Sequence, residues 1–255
     1  MTVDDDDVQV WFAQTADIND AARFARYESL LDRTEKATCD RLAGDAHRRL
    51  YVLSHALVRT TLGDCLGVEP SALRFGRTRH GRPYLLDTAS SAPIMFNLAH
   101  SDGVAVLAVT RSRAIGIDVE SSRRLPCVDD LLPVALSGDE RRDLAQYASE
   151  ERTRRFIRYW VLKEAYLKAE GVGFSTPPAD VSFLLGGTGP YHIVLARPAP
   201  GALPRTWSFR MFEIANDYCV AVCAEAGAKG FGRLEVRRCV PLEGNAVVAT
   251  ELRGY

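Results

Sequence analysis

Hydrophobic and polar positions follow two periods along the chain, and these occur in the same order in each half. In the first half, the 3,4 spacing of an amphipathic helix extends from Ala46 to Leu62. Strand patterns follow, ending in the apolar run Val104 to Val109. The second half repeats the series, from a helical stretch at Glu151 to Ala169 to the apolar run Tyr218 to Val222. The pattern predicts two α+β halves.

The turns between these elements also correspond. Gly81-Arg82-Pro83-Tyr84 precedes the apolar strands of the first half, and Gly189-Pro190-Tyr191 those of the second. Because random chains rarely repeat several elements in order, we interpret the halves as a tandem duplication rather than a chance similarity. We place the boundary in the turn-rich segment 121–139 and divide the chain into subdomains 1–125 and 126–255. A cleft between two such subdomains is a favoured ligand site.

Two acidic residues share one face of a predicted strand. Ile115 to Glu120 alternates strictly, so Asp118 and Glu120 point the same way, with Cα atoms about 6.5–7 Å apart. Neighbouring carboxylates repel each other, and a hard cation such as Mg²⁺ or Mn²⁺ relieves that conflict. Gly116, on the same face, is predicted to leave room for a ligand. The alternative is an edge strand whose acids face solvent.

A second polar stripe lies on the predicted helix Glu150 to Ala169. Trp160, Glu164 and Lys168 are spaced i, i+4 and i+8, apart from the apolar face, and Gly171 is placed to end the helix. Glu164 can bind a metal or accept a proton, and Lys168 can neutralise a phosphate. The alternative is an exposed Glu–Lys pair, which contributes only about 0.3–0.5 kcal/mol.

Composition narrows the classes of function. The formal net charge of −1 over 255 residues gives no case for nucleic acid or a membrane surface as partner. The six cysteines contain no Cys-x-x-Cys pair, which is typical of reduced thiols rather than a zinc site. The sequence has no signal-peptide pattern, Walker loop, dinucleotide fingerprint or apolar run of membrane-spanning length. We therefore expect a cytoplasmic globular protein.

Taken together, the motifs resemble those of the Sfp-type 4′-phosphopantetheinyl transferases. Three segments carry the resemblance in the same order and at similar separations: FNLAHS at 96–101, IGIDVE at 115–120 and WVLKEAYLKAEG at 160–171. Shorter motifs agree at 45–48, 81–84 and 137–140, and the resemblance covers roughly residues 33–222. It implies a pseudo-dimer of two similar α+β subdomains, with coenzyme A in the cleft between them.

The resemblance also implies roles for the charged residues of the two main segments. Asp118, Glu120 and Glu164 would hold Mg²⁺ against the pyrophosphate of coenzyme A. Glu164 is also the candidate for deprotonating the acceptor serine, directly or through water. Lys168 would contact the pyrophosphate, with Lys163 assisting.

On the nucleotide side, the resemblance implies that Asn97, His100 and Arg48 grip the nucleotide and its 3′-phosphate. Arg33 and Lys36 would add positive charge there.

Two positions depart from the family pattern, and the role of a third is open. Arg82 stands where the family usually has Lys, which keeps the charge but changes the geometry of an adenine-side contact. Ala99 stands where the family often has Ser. Glu140 matches an acidic position whose role the sequence leaves open.

The expected function is a magnesium-dependent holo-[acyl-carrier-protein] synthase. It would move 4′-phosphopantetheine from coenzyme A to a serine of an acyl or peptidyl carrier protein and release 3′,5′-ADP. Carriers of polyketide, nonribosomal-peptide and fatty-acid synthases are all compatible. The alternative is a non-catalytic module that binds coenzyme A or a carrier protein. Both halves of the cleft lie on one chain, so we expect a monomer.

Overall fold

Helices and strands alternate in two similar series along the chain. The computed structural model describes residues 7–86, 93–121, 128–186, 193–227 and 230–248. The helices within these ranges are α1 (Ala21–Ser29), α2 (Arg33–Cys39), α3 (Asp45–Leu66), α4 (Val128–Ala135), α5 (Gly138–Leu144) and α6 (Ser149–Glu170). The strands are β1 (Val8–Gln14), β2 (Phe75–Arg77), β3 (Pro83–Leu85), β4 (Ile94–Ser101), β5 (Val104–Arg111), β6 (Ile115–Ser121), β7 (Ser182–Leu185), β8 (Ile193–Arg197), β9 (Trp207–Ile214), β10 (Tyr218–Glu225), β11 (Leu234–Val240) and β12 (Gly244–Val247).

Two sheets form the centre of the molecule. The first has the strand order β12-β11-β1-β5-β4, and the second has the order β6-β10-β9. Neighbouring strands are antiparallel except β1 and β11, which run parallel. The hairpins β2–β3 and β7–β8 form two further small sheets.

Three apolar clusters set the order of the layers. The middle cluster joins the inner faces of the two sheets through side chains such as Val106, Ile117 and Val222. The outer clusters pack α3 on the first sheet and α6 on the second. The layers are therefore helix, sheet, sheet and helix. No helix in the described ranges is both long and apolar enough to cross a membrane.

The two predicted series are present in the same order. α3-β2-β3-β4-β5 is matched by α6-β7-β8-β9-β10, and α3 and α6 contain 22 residues each. Each helix ends at a glycine in the left-handed region, Gly67 (φ 68°) and Gly171 (φ 70°). The predicted α+β fold with two similar halves is thus confirmed. The second of the two matching turns, 189–191, lies outside the described residues.

Strand pairing does not follow the predicted division between 1–125 and 126–255. β6 lies before that boundary, but its hydrogen bonds join it to β10 in the second sheet. β11 lies after the boundary, but it pairs with β1 in the first sheet. The two predicted subdomains therefore exchange strands. The alternation that identifies a strand reports its two faces and carries no information about its partner.

α6 packs backbone-to-backbone on β6 at Gly116. A Cβ atom built on Gly116 would lie 2.0 Å from the Ala165 carbonyl oxygen and 2.5 Å from the Ala169 amide nitrogen. The expectation that this glycine leaves room for a ligand was therefore wrong, because the helix fills the space. The close contact instead holds the stripe containing Glu164 and Lys168 against the acidic face of β6.

We expect Gly116→Ala to lower the free energy of unfolding by about 1–3 kcal/mol, because a methyl group forces α6 away from β6. The measurement is the urea unfolding midpoint at an unchanged m-value. Gly138→Ala is the matched control, since a Cβ atom there meets nothing within 4 Å. Equal midpoints for the two variants would contradict the proposed contact.

Candidate active site

The acidic face of β6 points toward α6. Ile117 and Val119 lie in the core between the sheets, which turns Asp118 and Glu120 the opposite way. Asp118 is only 7% exposed. β6 is an edge strand of its sheet, yet its acids face a helix rather than solvent. The solvent-facing alternative is therefore not what the structure shows.

Glu120 is oriented by two side chains that the sequence reasoning did not assign to it. The Ser101 hydroxyl at the end of β4 donates to Glu120 Oε2 at 2.8 Å. Trp160 on α6 also forms a side-chain hydrogen bond with Glu120, which lowers the pKa of that carboxyl. Trp160 stands four residues before Glu164, so the two share one face of α6. This spacing was the signal that could have assigned Trp160 to the site.

Lys168 bridges from α6 to β6. Its ammonium lies 2.6 Å from Asp118 Oδ1 and also donates to the Ile117 carbonyl oxygen at 3.3 Å. The exposed pair with Glu164, which was the alternative to a functional role, does not form. In the described part of the chain, the Glu164 carboxylate has no hydrogen-bond or ion-pair partner, which leaves it available for chemistry.

The three carboxyl groups are close enough to perturb one another. Burial raises the pKa of Asp118, and the Lys168 ammonium opposes that shift. Burial and the charge of Asp118 both raise the pKa of Glu164. Burial also raises the pKa of Glu120, with the charge of Asp118 adding to the effect. A site with crowded acids and one ammonium favours a further positive charge.

The donor set suits a hard cation. All three carboxylates offer oxygen ligands only, and Asp118 Oδ2 is buried with no hydrogen-bond partner in the described structure. Within the same ranges, no three His, Cys, Asp or Glu side chains already stand close enough together to hold a metal ion. Binding there requires these side chains to close on the ion, and the Lys168 ammonium to share or leave Asp118.

His100 connects this cluster to a cavity. The imidazole is at the end of β4, where partial burial and the Lys168 ammonium lower its pKa. A cavity of about 420 Å³ opens beside it, between α2, α3 and the β2–β3 hairpin, with His55, Phe75 and Pro83 in its lining. His55 and the neighbouring Tyr51 on α3 are cavity residues that the sequence reasoning did not single out.

Three predicted basic residues lie on the helices around this cavity. Arg48, in the first turn of α3, forms a long ion pair of 3.9 Å with Glu28. Arg33 and Lys36 are exposed on α2, whose first turn lines the cavity. Neither has an ion-pair partner among the described residues, so both remain available to a phosphate.

Asn97 and Ala99, both from the first motif, point inward. Asn97 is buried, and its Oδ1 accepts a hydrogen bond from the Ile117 amide at 2.9 Å, which ties β4 to β6. This oxygen is therefore engaged by the backbone of β6, and the predicted nucleotide contact stays a prediction for the Asn97 Nδ2 group alone. Ala99 packs in the core between the sheets, so its departure from Ser does not alter the exposed side of the site.

Arg82 does not present its guanidinium to a ligand either. The group donates to the backbone carbonyls of Phe96, Ile115 and Lys168 at 3.1, 2.7 and 2.8 Å. The predicted adenine-side contact is corrected accordingly. The hydrogen bonds of Arg82 join the turn before β3 to β4, β6 and α6.

Lys163 is the clearest correction. Its side chain is 0% exposed, pairs with Glu140, and donates to the carbonyls of Ala135 and Pro178 at 2.9 and 3.0 Å. It is therefore sequestered from any pyrophosphate at Lys168. Glu140 also accepts from the backbone amides of Ser137 and Phe183. Successive residues of a helix point in different directions, so Lys163 reaches Glu140 while the adjacent Glu164 faces Asp118.

Comparison with protein families identifies both halves of the chain. The model described as "4'-phosphopantetheinyl transferase superfamily" matches residues 114–223, and the model described as "4'-phosphopantetheinyl transferase, N-terminal" matches residues 19–112. The two matches meet near residue 113, just before β6, so the family division agrees with the pairing of β6 in the second sheet.

Curated relatives agree with these families. The 4′-phosphopantetheinyl transferase HetI of a Nostoc species is 34% identical over 197 residues, covering 77% of this chain and 79% of that protein. The 4′-phosphopantetheinyl transferase Sfp of Bacillus subtilis is 30% identical over 201 residues, covering 78% of this chain and 84% of that protein.

A solved structure with some similarity is a holo-(acyl-carrier-protein) synthase from Bacillus anthracis in complex with CoA (3',5'-ADP). It is 20% identical with a TM-score of 0.38, covering 44% of this chain and 94% of that one.

The buried position of Lys163 generates a stability prediction. Lys163→Met removes one partner of a buried ion pair and leaves Glu140 uncompensated, so we expect the free energy of unfolding to fall by about 3–5 kcal/mol. Adding Glu140→Gln should recover part of that loss. Chemical denaturation measures both variants.

The control is Arg154→Met, which breaks an exposed pair with Glu150 on the same helix and should cost less than about 1 kcal/mol. A Lys163→Met protein as stable as this control would contradict the structural role of the buried pair.

Proposed function

The chain belongs to the 4′-phosphopantetheinyl transferase superfamily, and we propose that it transfers 4′-phosphopantetheine from coenzyme A to a serine of an acyl or peptidyl carrier protein, releasing 3′,5′-ADP. One observation carries the proposal at the level of the site. Glu164, without a partner in the described structure, faces Asp118 across the contact between α6 and β6, one turn before Lys168 on the same helix. The alternative of a non-catalytic binding module is not favoured, because the relatives are named as transferases.

The reaction requires charge neutralisation as well as a nucleophile. The serine oxygen forms a bond to the β-phosphorus of coenzyme A, and the bond to the departing 3′,5′-ADP oxygen breaks. The Lys168 ammonium is the nearest cation of the site for the pyrophosphate, once it is exchanged from Asp118 to a phosphate oxygen. Its flexible stem and compact charge suit that movement.

Asp118, Glu120 and Glu164 would hold Mg²⁺, with Mn²⁺ as a possible substitute. The oxygen-only donor set and the unpartnered Asp118 Oδ2 support this assignment. When bound, the ion would neutralise charge on the pyrophosphate and polarise its oxygens.

Glu164 is the proposed general base. Burial and the nearby Asp118 charge raise the pKa of Glu164, so its carboxylate holds a proton more readily than an ordinary glutamate. A base whose pKa is closer to the working pH is more effective at removing a hydroxyl proton in the transition state. We propose that it takes the serine proton directly or through one water molecule.

His100, Arg48, Arg33 and Lys36 are proposed to bind the nucleotide half of coenzyme A. His100 lines the 420 Å³ cavity, and the three basic residues lie on α3 and α2, the helices that border it, which supports this assignment. Three permanent positive charges there complement a 3′-phosphate.

Further properties follow from the same proposal. Both sides of the site belong to one chain, which supports a monomer. The five described cysteines are free thiols, which supports a reducing cytoplasm. The carriers are expected to belong to polyketide, nonribosomal-peptide or fatty-acid synthases.

The direct test incubates the protein with coenzyme A, Mg²⁺ and a panel of apo carrier proteins and follows the carrier mass. We expect a gain of one phosphopantetheine on the carrier serine, and loss of that gain when EDTA removes the metal. A panel in which no carrier gains mass, although the protein is folded, would refute the transferase proposal.

Two substitutions test the assigned acids. Asp118→Asn and Glu164→Gln preserve shape but remove the charge, so we expect each to lower kcat by about 10²-fold or more at nearly unchanged stability. Glu150→Gln, an exposed acid on the same helix, is the control and should retain full activity. Wild-type kcat in both test variants would remove these acids from the mechanism.

A further inference from the structure

We infer that Arg82 is a positioning residue that fixes the last turn of α6 and, through it, the aim of Lys168. This inference rests on the proposed function. It assigns a task to the position where this chain carries Arg instead of the family's usual Lys.

The three hydrogen bonds of the guanidinium reach three separate elements. Nη1 donates to the Lys168 carbonyl oxygen of α6 at 2.8 Å. Nη2 donates to Phe96 on β4 and to Ile115 on β6, at 3.1 and 2.7 Å. One side chain thus locks the residue that carries the ammonium to the strand that carries Asp118.

The Lys168 carbonyl is a group that needs an additional donor. The last carbonyls of a helix lack intrahelical partners, and a cation at this end also complements the helix dipole. The Gly171 amide contacts the same oxygen at 3.2 Å while donating at 3.0 Å to Leu167, so its bond to Lys168 is the weaker branch. Arg82 therefore supplies the stronger donor to the Lys168 carbonyl.

The turn that carries Arg82 is itself held in place. The Arg82 carbonyl accepts from the Thr78 amide at 2.9 Å, and the Arg82 amide donates to the Thr78 hydroxyl at 3.2 Å. A Cβ atom on Gly173, just beyond α6, would lie 3.1 Å from His80 Cβ, so the turn also abuts the chain that follows the helix. Because these contacts hold the turn, the Arg82 guanidinium can hold the Lys168 carbonyl, and with it the end of α6, in one place.

A lysine cannot reproduce this arrangement. The planar fork of Arg places Nη1 and Nη2 at different acceptors, whereas an ammonium donates from a single point. The Nζ atom of Arg82→Lys would lie about one bond length short of both Nη atoms, so a single ammonium cannot span the acceptor on α6 and those on the two strands. The substitution therefore keeps the charge and breaks the link between α6 and the strands.

The experiment compares Arg82→Lys with the wild type and with Arg79→Lys. Arg79 is an exposed arginine of the same turn whose guanidinium bonds, among the described residues, to its neighbour His80 alone. Steady-state transfer to a carrier gives kcat and the KM for coenzyme A. Hydrogen–deuterium exchange measures the amides of the last turn of α6 in the ligand-free proteins.

We expect Arg82→Lys to lower kcat about tenfold, as loss of one charge-assisted hydrogen bond predicts, with the KM for coenzyme A within about twofold of wild type. The amides at the end of α6 should exchange about tenfold faster in Arg82→Lys, and Arg79→Lys should match the wild type in both measurements.

Two results would overturn the inference. A raised KM for coenzyme A at unchanged kcat would identify Arg82 as a nucleotide contact. If neither kcat nor the hydrogen–deuterium exchange of the last turn of α6 changes, the bond from Arg82 to α6 does not position Lys168. Failure of the proposed function is distinguishable from both, because the wild type itself would then transfer nothing. In that case, the exchange comparison still tests whether Arg82 holds the end of the helix.

Discussion

The site depends on the backbone contact between α6 and β6 at Gly116. A Cβ atom built on Gly116 would lie 2.0 Å from the Ala165 carbonyl oxygen, so only a residue without a side chain lets the helix pack this close to the strand. Any larger residue would separate the two elements and, with them, the acids of β6 from the stripe of α6. The electrostatics of the site therefore follow from a packing constraint, because charges at greater separation would be screened by water.

This closeness also explains why the charges are distributed unevenly. A buried Asp118 needs a partner, and Lys168 provides it. Glu164 lies one turn earlier on the same stripe and has no partner in the described structure. The negative charge of Asp118 is thus balanced by Lys168, and that of Glu164 is not. This arrangement is suited to receive a cation and a phosphate together, since the cation can replace Lys168 at Asp118 and Lys168 can then pair with the phosphate.

Local pattern predicted the repeated elements of the two halves but not their partners. The strict alternation at 115–120 correctly predicted that Asp118 and Glu120 share one face, because strand periodicity depends only on neighbours in sequence. It could not predict the exchange of β6 and β11 between the sheets, which depends on contacts about a hundred or more residues apart. β1 and β12 were not anticipated at all, since one follows an acidic run and the other is short and exposed.

The same distinction separates the predicted site residues. Residue type and motif position marked Lys163, Asn97 and Arg82 as ligand-binding, yet the Lys163 ammonium, the Asn97 Oδ1 atom and the Arg82 guanidinium are engaged by the protein's own backbone or by Glu140. A polar residue beside a site can bind the ligand or hold in place the elements that bind it, and its hydrogen bonds help to distinguish these roles. In this chain, the polar groups that turn inward join β4, β6 and α6. Glu164 has no partner in the described structure, and Lys168, although paired with Asp118, keeps 30% of its side chain exposed. These are the two groups that we propose act on a substrate.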